Sequence, residues 1–316
     1  MLVLVCPFAK SFDDIGFTYL VPIELENYIK KGIVVDVPMQ SQILSGVVLD
    51  IQDESSLNFD IDKLKPIVGI KYETPLLFNK ELKIINWISK YYFCKIHSSL
   101  NLFFPRNLKE KIEKIKLDLT SKKDYKYTFN YEKNLTKSQE EVLDKIDKTN
   151  KKIIFYGVTG SGKTEVYINL VKKYLDKQKQ CLILVPEIIL NNQVFDRFKE
   201  IFGDDVIMIN SSITETSKYK NRIDIYNNKA KIIIGTRSSL YYPYKDLGLI
   251  IVDEEHDLSY KSDSTPKIDT REVINKMSEL TDIKVIFASG TPSIKTIYSG
   301  LNGNFTLINL LDEYKN

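Results

Sequence analysis

Cysteine is scarce in this chain: Cys6, Cys94 and Cys181 are three in 316 residues, far apart, in apolar settings and without a C-x-x-C pair. That usage argues against a disulfide framework and against a thiolate zinc site, and it suits a reducing cytosol. No uninterrupted apolar run reaches the roughly 18 residues expected of a membrane-spanning helix. Met1–Pro7 is apolar but short and has no basic flank, so it reads as a first strand rather than a signal peptide. An excess of one charge is missing too. With 45 Lys and Arg against 42 Asp and Glu, the net charge is +3, and charge alone gives little argument for nucleic acid. What remains is a 43% hydrophobic chain, long enough for two domains with proper cores.

The first 70 residues read as short strands (Leu2–Cys6, Phe17–Leu20, Ile33–Val37, Ile43–Ile51 and Ile67–Lys71) separated by Pro and Gly, which suggests a small all-β barrel. Pro75–Tyr92 carries apolar residues at helical spacing, with Trp87 expected in the core. Residues 106–134 are lysine-rich and read as a solvated connector holding one helix (Leu108–Leu117) and one strand (Tyr125–Tyr131). From Leu135 the pattern becomes strand–helix alternation. Apolar runs at 152–156, 181–185, 206–210, 231–235, 248–252 and 283–288 lack strict alternation, as strands covered on both faces do. The expected fold is α/β: a doubly wound parallel sheet of RecA-like type over 135–316, a connector over 106–134, and a β-rich domain over 1–105.

The sheet carries a phosphate-binding signature. Ile153–Tyr156 runs into Gly157-Val-Thr-Gly160-Ser161-Gly162-Lys163-Thr164 and then into an amphipathic segment, so G-x-x-x-x-G-K-T stands between strand and helix. The glycines let successive backbone N–H groups turn inward at the positive end of the next helix. Lys163 suits the β- and γ-phosphates of ATP, and Thr164 suits Mg²⁺. The strand Leu249–Val252 ends in Asp253-Glu254-Glu255-His256. Asp253 fits the Mg²⁺ shell, Glu254 the polarising of an attacking water, and His256 either the γ-phosphate or a neighbouring motif. Leu184-Val-Pro186-Glu187, Ile234-Gly-Thr236-Arg237-Ser238 and Ser289-Gly-Thr-Pro292 end strands on the same side, where Thr, Arg and backbone N–H groups are suited to sugar–phosphate.

In this order, G-V-T-G-S-G-K-T-E-V-Y, V-P-E-I, G-T-R-S, L-G-L-I-I-V-D-E-E-H-D-x-S-Y-K and G-T-P-S resemble the superfamily 2 nucleic-acid helicases. Within them, the wording is closest to the PriA (primosomal protein N′) family of replication restart helicases, strongly over about 135–310. The resemblance implies a 3′-to-5′ DNA helicase, in which ATP hydrolysis drives translocation on single-stranded DNA at forks and helps reload the replicative helicase. It implies ATP and Mg²⁺ as cofactors, forked DNA, single-stranded-DNA-binding protein and primosome proteins as partners, no membrane, and a cytoplasmic location. It makes the N-terminal module a pocket for a DNA 3′ end with Phe17, Thr18, Gly32 and Lys65, and Pro105 near its close. It makes Gln139 an adenine contact, a helix-capping glutamine being the alternative. Arg237, Tyr260, Lys261 and Arg271 become DNA contacts, the last three in a loop coupling DNA binding to hydrolysis.

The sequence also departs from that family. Lys267-Ile268 stands where a basic–aromatic pair is usual, removing one stacking ring. About thirty residues are too few for a complete winged helix, and the second helicase lobe with its arginine finger, and the zinc-binding cysteines, are expected to be absent. A lobe without that arginine is expected to bind ATP and DNA but hydrolyse poorly, the finger being worth about 10³–10⁵ in rate in other phosphate-loop enzymes. The rivals are a non-catalytic DNA-end-binding scaffold and another superfamily 2 translocase.

Overall fold

The computed structural model describes residues 1–9, 15–52, 63–104, 127, 129–131, 133–149, 152–158, 160–187 and 193–312. The expected helix Leu108–Leu117, Pro105 and part of the expected strand Tyr125–Tyr131 lie outside them. The chain divides into two compact units, Met1–Lys116 with Ser264–Lys267, and Leu117–Asp263 with Ile268–Asn316.

The first unit is built on an antiparallel sheet of β1 (Leu2–Pro7), β2 (Phe17–Leu20), β3 (Val34–Met39), β4 (Gln42–Gln52) and β5 (Gly69–Tyr72), in the order β2-β1-β4-β3-β5. Alternation decides its faces: Val3, Val5, Tyr19, Val35, Val37 and Val48 point into one core. Before β5 begins, the chain runs along the other edge strand. Leu20 N–H donates to Lys65 O at 3.0 Å and Ile67 N–H to Leu20 O at 2.9 Å, so the two edges are bridged as a barrel requires. Helix α1 (Asn79–Tyr91) begins four residues later than the apolar spacing suggests, because Phe78 N–H is capped by the Glu81 carboxylate at 2.9 Å. Trp87 is half-buried rather than in the core, stacked on the exposed Tyr91 with ring centroids 4.6 Å apart. A second helix, α2 (Ile96–Phe103), was not evident in the sequence.

The second unit holds seven parallel strands: β6 (Lys152–Gly157), β7 (Gln180–Leu184), β8 (Val206–Ile209), β9 (Ile232–Gly235), β10 (Leu247–Val252), β11 (Lys284–Ser289) and β12 (Thr306–Leu310), in the order β12-β6-β11-β10-β7-β9-β8. The helices are α3 (Lys137–Lys148), α4 (Lys163–Asp176), α5 (Gln193–Phe202), α6 (Glu215–Tyr226), α7 (Thr270–Leu280) and α8 (Ile294–Leu301). The inner strands β7 and β10 are buried at every position, which is why they carry the apolar runs Leu182-Ile-Leu184 and Leu249-Ile-Ile-Val252 without alternation. Fully burying each such side chain contributes about 1.5–3 kcal/mol, and this layer therefore fixes where the strand ends lie.

The expected strand before this unit is not one at Tyr127 or at 129–131. The segment is held by side chains instead. Tyr127, Phe129 and Tyr131 pack on the core, Tyr131 donates to Glu165 Oε2 at 2.5 Å, and Asn130 N–H to Ile201 O at 2.9 Å.

Candidate nucleotide site and strand-end loops

The loop after β6 turns on left-handed backbone at Gly160 and Gly162, both with φ +80°. Gly162 is the residue from which α4 starts, and there a side chain would be strained. Lys163 at the first helical position folds back, its Nζ 2.8 Å from Gly157 O and 3.9 Å from Glu254 Oε1. The Ser161 hydroxyl is buried in this turn without a hydrogen-bond partner among the described residues. A buried orphan donor facing a helix start is what a bound anion would satisfy.

Asp253 and Glu254 follow β10, separated in the sheet from the phosphate loop by β11 alone. Burial pushes the Asp253 carboxyl above its ordinary value, and the hydroxyl of Tyr167, which donates to Oδ1 at 2.8 Å, opposes that shift. Tyr167 is buried beside this carboxylate, which holds its own pKa far above the usual range and keeps it a donor. Oδ2 and the Thr164 hydroxyl are the oxygens suited to a hard divalent cation, which takes few protein ligands when phosphates and water supply the rest. Glu254 sits at φ +43°, with Oε2 accepting from Ser289 Oγ at 3.2 Å. His256 Nδ1 lies 2.8 Å from the same Ser289 hydroxyl and 3.4 Å from Thr291 Oγ1, so it joins the Ser-Gly-Thr-Pro loop as one of its two expected roles required. Glu255, given no role by sequence reasoning, is 0% exposed. It accepts from Ser293 N–H at 2.6 Å and Thr296 Oγ1 at 2.9 Å, capping α8 across the sheet edge.

Three residues expected on DNA are turned into the protein. Tyr260 is 1% exposed, and its single hydroxyl proton is shared between Asp253 O at 2.6 Å and Leu184 O at 3.0 Å, pinning the ends of β10 and β7 together. Arg237 donates to Ser259 O at 2.7 Å and Lys261 O at 2.6 Å, on either side of that tyrosine. Arg271 grips Asp269 with Nε and Nη2, both at 2.8 Å, and Glu255 O with Nη1 at 2.6 Å. A buried ring cannot stack on a base as it stands, and Arg271 has all three guanidinium nitrogens on protein acceptors, whereas half-buried Arg237 uses Nη1 alone and keeps Nε and Nη2 over. Lys261 is exposed and available. Ile268, at the position of the missing aromatic, is buried. Gln139 is spent likewise: Oε1 accepts from Thr136 N–H at 3.0 Å in a capping box, and Nε2 donates to Ser161 O at 3.3 Å. At 1% exposure it serves here as a cap that steadies the phosphate loop.

In the first unit, Phe17 packs on the barrel core and Thr18 Oγ1 donates to Gln52 Oε1 at 3.2 Å. The exposed Lys65 lies on the segment bridged to β2. Gly32 plays another part. With φ +84°, a Cβ there would sit 2.1 Å from Leu77 O, so this glycine is required by close backbone packing.

Comparison with known proteins agrees with both halves. The profile of the DEAD/DEAH box helicase family matches residues 136–299, and that of a 3′ DNA-binding domain (3′BD) of PriA matches residues 6–105. The replication restart protein PriA of Rickettsia conorii is 36% identical over 317 residues, covering 99% of this chain and 46% of that protein. PriA of Rickettsia prowazekii is 38% identical over 255 residues (80% of this chain, 38% of that protein), and PriA of Helicobacter pylori J99 is 34% identical over 267 residues (84% and 40%). The chain therefore spans less than half the length of these relatives.

Proposed function

The chain belongs to the DEAD/DEAH box helicase family, in its PriA branch, and on that premise we propose that it carries the DNA-end-binding module and the ATP-binding lobe of a replication restart helicase. We assign residues 1–105 to DNA 3′-end binding, 106–134 to the connector and 135–316 to the first RecA-like lobe. The observation that carries the reading is the convergence of Lys163, Glu254 and Asp253 beside a buried Ser161 hydroxyl, unpartnered among the described residues, at the head of the parallel sheet. Lys163 and the backbone of Gly157–Gly162 would hold the phosphates of ATP, with Thr164 and Asp253 holding Mg²⁺. Bound there, the metal would supply charge neutralisation on the phosphates.

The residues of the chain supply the rest. Tyr167 and Tyr260 hold Asp253 by its carboxylate and its carbonyl, so the metal ligand is set before nucleotide arrives. Glu254, oriented by Ser289, accepts the proton of the attacking water. His256 and Ser289 tie this carboxylate to the Ser-Gly-Thr-Pro loop, so that a strand bound at that loop would be felt by the water-positioning group. In the cytoplasm the activity would be 3′-to-5′ translocation on forked DNA, with single-stranded-DNA-binding protein and primosome proteins as partners.

The test pairs two titrations on the intact chain: a fluorescent ATP analogue with Mg²⁺, and single-stranded DNA ending in a 3′-hydroxyl or a 3′-phosphate. The reading predicts saturable nucleotide binding and tighter binding of the hydroxyl-ended strand. Equal affinity for the two DNA ends would remove the end-binding assignment, and absence of nucleotide binding would remove the lobe assignment.

A further inference from the structure

A cleft of about 1080 Å³ lies in the first unit on the sheet face opposite the barrel core, and its wall residue Leu4 pairs across the β1–β2 ladder with Thr18. Leu4 and Leu49 form one wall, and α1 with Ile96 the other. Along α1, Asn79, Lys83, Asn86 and Lys90 recur at i, i+4, i+7 and i+11, which puts amide and ammonium groups alternately on one stripe facing the cleft. Lys31 and Lys95 add two further cations, and Asp50, the one acid of the lining, is already paired with Lys31. Neither Lys83 nor Lys90 pairs with a carboxylate among the described residues. At the far end of the stripe Phe93 is 97% exposed, with φ +48°. It occupies the residue after the α1 cap, where the left-handed backbone favours glycine or asparagine. A bulky ring held in that conformation and fully in water is costly, and such positions concentrate at ligand contacts.

We propose that this cleft is a second track for single-stranded nucleic acid, independent of the free 3′ end. Aliphatic walls accept sugars and the faces of bases, the lysine rim neutralises phosphates, the asparagine amides both donate and accept at base edges, and Phe93 offers a stacking platform. Lys83 and Lys90 are about 10 Å apart along the helix axis, the span of roughly three nucleotides at about 3.4 Å each. An acidic peptide would also meet the lysines, but it has no use for a solitary exposed ring beside paired amides.

The experiment uses the intact chain without ATP and a circular oligothymidylate, which has no 3′ hydroxyl, so that failure of the end-binding reading leaves it untouched. The variants are Lys83→Ala with Lys90→Ala, and Phe93→Gly, which keeps the backbone conformation. All three side chains are exposed, and circular dichroism melts should match the parent. The track predicts roughly a tenfold loss of affinity for each variant. It also predicts that the slope of log K against log salt shrinks by about 1.4 for the lysine pair. Unchanged affinity and slope would overturn the proposal, and so would retained DNA binding with loss of binding to a poly-glutamate peptide.

Discussion

Two groups of side chains stand at the C-terminal edge of one parallel sheet and are used in opposite ways. Around Lys163 the chemistry faces outward: the Ser161 hydroxyl is unpartnered among the described residues, Asp253 keeps one carboxylate oxygen free of Tyr167, and Glu254 stands 3.9 Å from the lysine. Around Tyr260 it faces inward, with Arg237 on the carbonyls of residues 259 and 261, and Arg271 on Asp269 and the carbonyl of Glu255. Both groups are polar, both sit in family motifs, and both lie where ligands bind in such sheets. The difference is that one group is held by its backbone and leaves its side chains over, whereas the other is a brace whose side chains hold the backbone. A motif says which residues gather; only the hydrogen-bond partners say which of them are left for a ligand.

Substitutions separate the two groups. Glu254→Gln keeps the nucleotide-facing geometry and removes the proton acceptor. Single-turnover hydrolysis of ATP with single-stranded DNA should fall by about 10²-fold or more while nucleotide affinity stays near that of the parent. Unaltered turnover would move the water-positioning role elsewhere. In the brace the loss should be of stability. Arg271→Ala strands the Asp269 carboxylate and the Glu255 carbonyl in a mostly buried place; breaking a fully buried pair costs about 3–5 kcal/mol, and partial solvent access brings the expectation down to about 2 kcal/mol, read from urea unfolding.

Tyr260→Phe removes one hydroxyl shared by two buried carbonyls and should cost about 1–2 kcal/mol, with DNA affinity unchanged. A fall in DNA affinity at unchanged stability would return Tyr260 to the binding surface. Smallest is Gln139→Ala, about 1 kcal/mol from the lost cap. The preference for ATP over GTP should be unaltered, and its loss would revive the adenine contact.

The contrast also explains what could be read beforehand. The inner strands were legible because burial on both faces favours apolar side chains without alternation, and the phosphate loop because glycine spacing, lysine and both flanks coincide. Strand β12 was missed: as an edge strand it is buried at only two of its five positions, so no apolar run marks it. The partners of Asp253 were equally hidden, for Tyr167 lies 86 residues away and reaches it only because α4 packs across the sheet. Glu255 looked like a spare acid in an acidic run, and its role as a cap for α8 depends on Ser293 and Thr296, 38 and 41 residues on. Long-range pairing of this kind leaves no periodic trace. The bracing bonds of Arg237, Tyr260 and Arg271 were hidden for a related reason, since residue type and motif position are the same for a brace as for a grip.

The decisive comparison is an equilibrium titration of a fluorescent ATP analogue with Mg²⁺ into the parent chain, Lys163→Ala and Tyr260→Phe side by side. Removing hydrogen bonds from a cation to phosphate should weaken nucleotide binding by about 10- to 100-fold in Lys163→Ala. Tyr260→Phe should bind within a few-fold of the parent below its melting transition. Parent-like binding by Lys163→Ala, or an equal loss in folded Tyr260→Phe, would contradict the division between an open nucleotide site and a closed brace.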